Sequence, residues 1–144
     1  MSERRAAPTA VDGMLRSPRI EPPGCTVAQA RAVFADDHVH ALLITEGRRL
    51  VAVVEREDLA GAADAESAVD RGRLHGRTVE PAAELEPLRL WMVAEGRRRL
   101  AVVDDETLLG LLCLKSSGNG FCTDEGVAAR ARERAELDAD PEVR

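Results

Sequence analysis

The chain has no tyrosine, one tryptophan and two phenylalanines, so aromatics make up 2% of its 144 residues. Proteins that hold single strands by base stacking need aromatic platforms, and this sequence has almost none. A net charge of -6 removes a general basic surface, the other attraction to a phosphate backbone. No apolar run approaches the ~20 residues that a membrane helix needs. The two arginines of MSERRAAPTA are not followed by the apolar stretch of a secretion signal. These absences predict a cytoplasmic protein with no nucleic-acid and no membrane partner.

Three cysteines, Cys25, Cys113 and Cys122, are an odd and widely spaced set that reads as reduced thiols. Cys113 and Cys122 lack a third and fourth ligand at metal-site spacing, so they read as small hydrophobes and no metal is expected. There is no P-loop, no G-x-G-x-x-G, no G-x-S-x-G elbow and no nucleophile set beside a base. The chain is therefore read as a non-enzyme, with no catalytic residues.

What is present is aliphatic. Hydrophobic residues are 44% and charged residues 32%, so a core must be built from Val, Leu and Ala. The length suits one domain, or two small subdomains sharing a core. Residues 1–10 are polar and small and read as a disordered tail. The prolines of Ser17–Gly24 force an extended segment. Thr26 then precedes a helix-period pattern of Val27, Ala30, Val33 and Phe34, and Gln29 completes a capping box. Ala41–Thr45 and Leu50–Val54 flank Gly47 as a hairpin. Asp58–Val69 reads as an Ala-rich helix ended by Gly72.

The order then recurs. Arg77–Pro81 is extended, and Leu85, Leu88, Trp91 and Met92 share a helical face. Arg99–Val103 and Leu108–Leu112 form a second hairpin. After the glycine-rich loop 116–120, Thr123 caps a helix from Asp124 to about Leu137, with a thin apolar face. Two registers compete for the repeat. An offset of 49 aligns EGRRLVAVVE with EGRRRLAVVD but lays the first helix over Pro81. An offset of 58 pairs Pro23 with Pro81, Val27 with Leu85, Phe34 with Met92, Leu42 with Leu100, Leu50 with Leu108 and Ala52 with Gly110. Burial pattern fixes register better than identity does, which selects 58.

The succession of GMLRSPRIEPPGCTVAQARAVF, HALLITEGRRLVAVVEREDL, GRTVEPAAELEPLRLWM and RLAVVDDETLLGLLCLK resembles a tandem pair of CBS domains, a Bateman module. The resemblance covers roughly residues 12–117. It implies an α+β fold of two β-α-β-β-α repeats packed about a pseudo-twofold axis, each a small sheet with helices on one side. The corresponding division is a tail at 1–10, repeat 1 at 11–70, repeat 2 at 71–118, and a loop, helix and tail at 119–144. It also implies a homodimer and a regulatory, energy-sensing role without catalysis, with an adenosine-containing ligand (AMP, ATP or S-adenosylmethionine) in the cleft between the repeats.

The family's ligand motif is Gly-hydrophobic-x-Thr/Ser-x-x-Asp at the end of the last strand, its aspartate holding ribose hydroxyls. Repeat 1 has Ala52, Glu55 and Asp58 at those positions, and repeat 2 has Gly110, Cys113 and Ser116. Asp58 is the stronger acceptor, and it is also a candidate helix N-cap. Glu55 brings a second negative charge to where a phosphate would approach, with Arg56, Arg19 or an arginine from another repeat as candidate counter-charges. The resemblance implies backbone contacts from the extended segments and hairpin starts, at Arg19, Ile20, His40, Ala41 and Thr78. It also makes Arg98 and Arg99 the candidate phosphate ligands. The bland reading makes the arginine runs solvated charges, His38 and His40 a surface pair, and Trp91 with Met92 a packing or dimer surface. The departures at Glu55, Cys113 and Ser116 leave an alternative: a structural CBS module with a degenerate site, acting through homodimerisation and an unknown protein partner.

Overall fold

In the computed structural model, residues 7–127 and 129 are described. Two three-stranded halves join into one six-stranded sheet of order β1-β2-β3-β6-β5-β4. The strands are β1 (Ile20–Glu21), β2 (Leu42–Glu46), β3 (Arg49–Val54), β4 (Thr78–Val79), β5 (Arg99–Asp104) and β6 (Thr107–Cys113). The helices are α1 (Ala10–Gly13), α2 (Val27–Phe34) and α3 (Leu85–Glu95). The 58-residue offset holds at each of these levels. Ile20 pairs with Leu43 as Thr78 pairs with Ala101. Each hairpin is irregular at the same place, between Ile44 and Thr45 and between Val102 and Val103. The halves meet where Leu50 N–H donates to Glu106 O and Leu108 N–H donates to Arg48 O, two bonds related by the same offset.

Strand alternation explains the three-part core. Leu42 and Ile44 face α2 with Val27, Ala30 and Phe34. Leu100, Val102 and Leu112 face α3 with Met92. The intervening residues Leu43, Leu50, Val53, Ala101 and Leu111 form a third cluster between the halves. Thr26 begins α2 as its sequence predicts: Gln29 N–H donates to Thr26 Oγ1 at 3.2 Å, and Thr26 N–H donates to Gln29 Oε1 at 2.9 Å.

The predicted helix Asp58–Val69 does not form. It is replaced by two 3-10 turns, Arg56–Leu59 and Ala68–Arg71. Gly61 turns the chain at φ +75°. Arg31 then takes the carbonyls of Leu59 and Ala62, at 2.9 and 2.7 Å, which a continuing helix would use. The carbonyls of Asp64 and Glu66 instead receive the free N–H groups at the start of α2. Alanine content favoured a helix, and these tertiary bonds override it.

Two further expectations change. Thr9 and Ala10 are not tail: Ala10 is fully buried in the second core, and its N–H donates to Ala83 O. At offset 58, α1 (sequence AVDG) corresponds to the second 3-10 turn (AVDR), which packs on the first core through Ala68. Each lead-in segment thus covers the other half, and internal symmetry groups Ser67–Arg71 with the second repeat. Trp91 does not share the buried face of α3. It is 41% exposed beside Leu90 and Val93, whereas Met92 is fully buried. The C-terminal helix starts as predicted, with Gly126 N–H donating to Thr123 Oγ1 at 2.9 Å. Its extension to Leu137 lies outside the described residues.

Candidate functional site

The end of β3 carries the charged stretch Glu55-Arg56-Glu57-Asp58, and the lead-in to β4 passes beside it because Arg73 pairs with Val53. That pairing brings Arg77 under the stretch. Arg77 is 2% exposed, yet its guanidinium donates to Val53 O at 2.7 Å and to both carboxylate oxygens of Asp58, at 2.6 and 3.1 Å. Its Nη2 also lies 3.2 Å from Glu55 Oε1. Its Nε is buried and has no hydrogen-bond partner among the described residues. From the far side, Arg97 donates to Glu55 Oε2 at 2.5 Å.

Asp58 therefore has a different place from that expected. Glu55 is the N-cap of the 3-10 turn, and Asp58 sits three residues on, accepting the Glu55 N–H at 2.7 Å. Burial by itself would raise the Asp58 pKa. The Arg77 and Glu55 hydrogen bonds and the Arg77 charge outweigh it, so its carboxyl is held below the ordinary value. Arg56 does not neutralise Glu55. It donates to the carbonyls of Phe34, Asp36 and Val39 and covers the Phe34 ring at 5.1 Å, closing the C-terminal end of α2. Glu55 is neutralised by Arg77 and Arg97, arginines from the other repeat, as the sequence allows. Arg19 is also elsewhere, in an exposed pair with Glu21.

Above this network is a cavity of about 590 Å³, lined by Arg73, Arg97, Arg98 and Arg99, by His40 and His75, by Glu55, Glu57 and Glu95, and by Gly76, Gly96 and Trp91. Its size is that of a small-ligand site. A more apolar cavity of about 500 Å³ lies between α1, the start of α3 and residues 119–124. Among the described residues its only arginines are Arg16 and Arg89, so the arginine-lined cleft is the stronger candidate for an anion. Arg98 Nε donates to Leu114 O at 3.1 Å, and Arg99 Nη1 to Arg98 O at 3.0 Å. Among the described residues, Arg73, Arg98 and Arg99 have no carboxylate within ion-pair distance. Burial pulls Arg99 below its ordinary value; the two nearby thiols oppose this, and Arg98 adds to it. Burial, then Arg99, Arg98 and Arg56, lowers His40, which is therefore neutral at pH 7.

Of the residues singled out in the sequence, His40, Glu55, Arg98 and Arg99 meet in this cleft, with Asp58 beneath them. Ile20 and Thr78 lie on the edge strands, away from it. Ala41 packs against the cluster between the halves. Cys113 is buried against Cys122, and Ser116 lies in an exposed turn. His38 is exposed and pairs with Asp36, and of the two histidines only His40 lines the cleft. Arg73, His75 and Arg77 were missed. The acidic pair Glu55 and Asp58 at the end of an apolar strand was the available signal, since two carboxylates held half-buried need a cation beside them.

No protein-family model matches the sequence, and no curated protein matches it. Solved structures do. A Vibrio cholerae protein described as an acetoin utilization protein, AcuB, is 19% identical, with 94% of this chain and 100% of that chain covered at a TM-score of 0.64. The cytosolic domain of the Mg2+ channel MgtE, solved in complex with ATP, is 19% identical over 74% of this chain and 46% of that one, at 0.60. A Burkholderia ambifaria signal-transduction protein with CBS domains is 23% identical over 68% and 77%, at 0.54. At these identities the likeness is one of fold.

Proposed function

With the fold of a tandem CBS pair as premise, we propose that the chain is a non-catalytic regulatory module that binds a phosphate-bearing adenosine nucleotide, of AMP or ATP type, between its repeats. The observation that carries this reading is the convergence of Arg73, Arg98 and Arg99 on one cleft, none of them at ion-pair distance from a carboxylate among the described residues. Arg98 and Arg99 are half-buried, and guanidinium groups so placed are costly without a counter-charge; a phosphate supplies one in bidentate geometry, and the exposed Arg73 adds a third positive charge. The same feature disfavours S-adenosylmethionine, whose sulfonium would face those arginines. The neighbour solved with ATP supports a nucleotide as the ligand class.

Asp58 has both oxygens engaged by Arg77, so in this reading it holds the cleft floor, and phosphate contacts supply most of the binding energy. Trp91, at the rim, offers an aromatic face to the base. Leu90 and Val93, exposed one turn apart on α3, support a homodimer that buries their helix face. Mass spectrometry of small molecules released by denaturing the purified protein tests the ligand class directly. An adenosine phosphate is expected, whereas S-adenosylmethionine at stoichiometric amount would refute the phosphate reading.

One observation favours a second reading, a structural module acting through a protein partner. Arg77 and Arg97 already neutralise Glu55 and Asp58 from within the fold. That reading predicts no released nucleotide and a homodimer whose stability is indifferent to added ATP.

A further inference from the structure

Strand β6 ends at Cys113, and the chain then turns back through residues 115–120. Leu114 and Phe121 pair across that turn, Lys115 N–H donates to Gly120 O at 2.9 Å, and Cys122 N–H donates to Cys113 O at 2.7 Å. This ladder sets Cys113 directly opposite Cys122, with both side chains on one face. Opposed residues of this kind have Cα atoms about 5.5 Å apart, within the ~4.4–6.8 Å range that a disulfide spans. The two Sγ atoms are 2.9 Å apart, and both thiols are free. The third thiol, Cys25, is buried in the core of the first half.

We infer that Cys113 and Cys122 are a dithiol modification site that closes to an intramolecular disulfide on exchange with a low-molecular-weight disulfide. The chemistry is two successive exchanges. Cys122, the more exposed thiol, loses its proton and attacks one sulfur of the small disulfide, expelling the first thiolate and leaving a mixed disulfide on Cys122. Cys113 then loses its proton and attacks Cys122 Sγ, expelling the second thiolate. Two protein thiols lose two electrons and two protons, and one small disulfide becomes two small thiols. Burial, reinforced by the Cys122 hydrogen bond and opposed by Arg99, pushes the Cys113 thiol up to about 11, which makes Cys113 the second attacker.

The crosslink would tie the end of β6 to the segment that carries Thr123, the cap of the last helix, and Asp124, which accepts the Arg16 N–H. It sits one residue from Leu114, whose carbonyl receives Arg98. The inference stands on thiol geometry and does not depend on what occupies the cleft.

The test incubates the full chain with oxidised glutathione, then counts thiols and maps peptides without reduction. Titratable thiols should fall from three to one. The mass should drop by two hydrogens, the Cys113 and Cys122 peptides should be joined, and Cys25 should remain free. Dithiothreitol should restore all three. The Cys113→Ser variant should stop at a glutathione adduct on Cys122. The Cys122→Ser variant, altered at a partly exposed position, should keep its two thiols. A glutathione adduct that persists on Cys122 in the unaltered chain would overturn the inference. So would a crosslink between chains, or three thiols surviving conditions that oxidise the denatured protein.

Discussion

Arg77 donates to both carboxylate oxygens of Asp58, at 2.6 and 3.1 Å, and joins the end of one repeat to the start of the next. The pair is nearly sealed from solvent, since Arg77 is 2% exposed. Removing one partner from such a pair leaves an uncompensated buried charge and costs about 3–5 kcal/mol, whereas replacing both by apolar groups is often neutral. Arg77→Met should therefore lower unfolding free energy by that amount in a urea titration, and Arg77→Met with Asp58→Leu should recover most of it. Additive losses in the double variant would show that the pair is not a coupled unit.

The same pair sets an acid limit on stability. The folded-state pKa of Asp58 lies below its ordinary value of 3.8 because Arg77 and the Glu55 N–H favour the ionised carboxyl despite burial. A depressed carboxylate contributes stability that is fully present above the unfolded-state pKa and is lost as pH falls through that value toward the folded one. The stability gap between the unaltered chain and Asp58→Asn should be constant above about pH 5 and should shrink below about pH 4. A gap that stays constant to pH 3 would contradict the assigned role of Asp58.

A steric prediction comes from the crossing of each lead-in segment over the opposite hairpin. A Cβ on Gly110 would lie 2.4 Å from Leu15 O and 2.6 Å from Met14 Sδ. At the equivalent crossing, offset by 58 residues, a Cβ on Gly72 would lie 2.9 Å from Val53 O and 3.0 Å from Ala52 Cβ. The glycine has changed sides: Gly110 yields to Met14, and Gly72 yields to Ala52. This accounts for alanine at the motif's glycine position in the first repeat. Gly110→Ala and Gly72→Ala should each destabilise by about 1–3 kcal/mol, because backbone must shift to admit the methyl. Thermal melts that leave either variant unchanged would show that the crossings are looser than described.

An oligomerisation prediction rests on α3. Leu90 and Val93, one turn apart on the same side of the helix, are 56% and 51% exposed. Sedimentation should give a dimer, and Val93→Glu should shift it to monomer without altering the circular dichroism of the fold. A monomer in the unaltered chain would remove the dimer from the proposed function.

The repeat and its register were legible in the sequence because aliphatic alternation survives at offset 58 even where identities do not. Ile20 and Thr78, Val27 and Leu85, and Leu50 and Leu108 occupy equivalent places. The helix expected over Asp58–Val69 was not legible as two turns, because what breaks it is Arg31, nearly thirty residues earlier in the chain. The cleft was half legible. Glu55, Arg98 and Arg99 stood out by motif position, but the partner of Asp58 was hidden. Arg77 reads locally as the ordinary start of an extended segment, and only the crossing of Arg73 beside Val53 makes it a buried cation.

The central claim is that the arginine-lined cleft takes a phosphate-bearing adenosine ligand, and Trp91 reports on that cleft directly. It is the chain's single tryptophan, there is no tyrosine, and it lines the cavity. Titrations of AMP, ATP and S-adenosylmethionine, followed by Trp91 fluorescence and by calorimetry, should give saturable binding of AMP or ATP. Arg98→Ala and Arg99→Ala should each weaken that binding at least tenfold, about 1.4 kcal/mol. Neither heat nor a Trp91 change with any of the three ligands at millimolar concentration, in a protein first stripped of bound small molecules, would contradict the account.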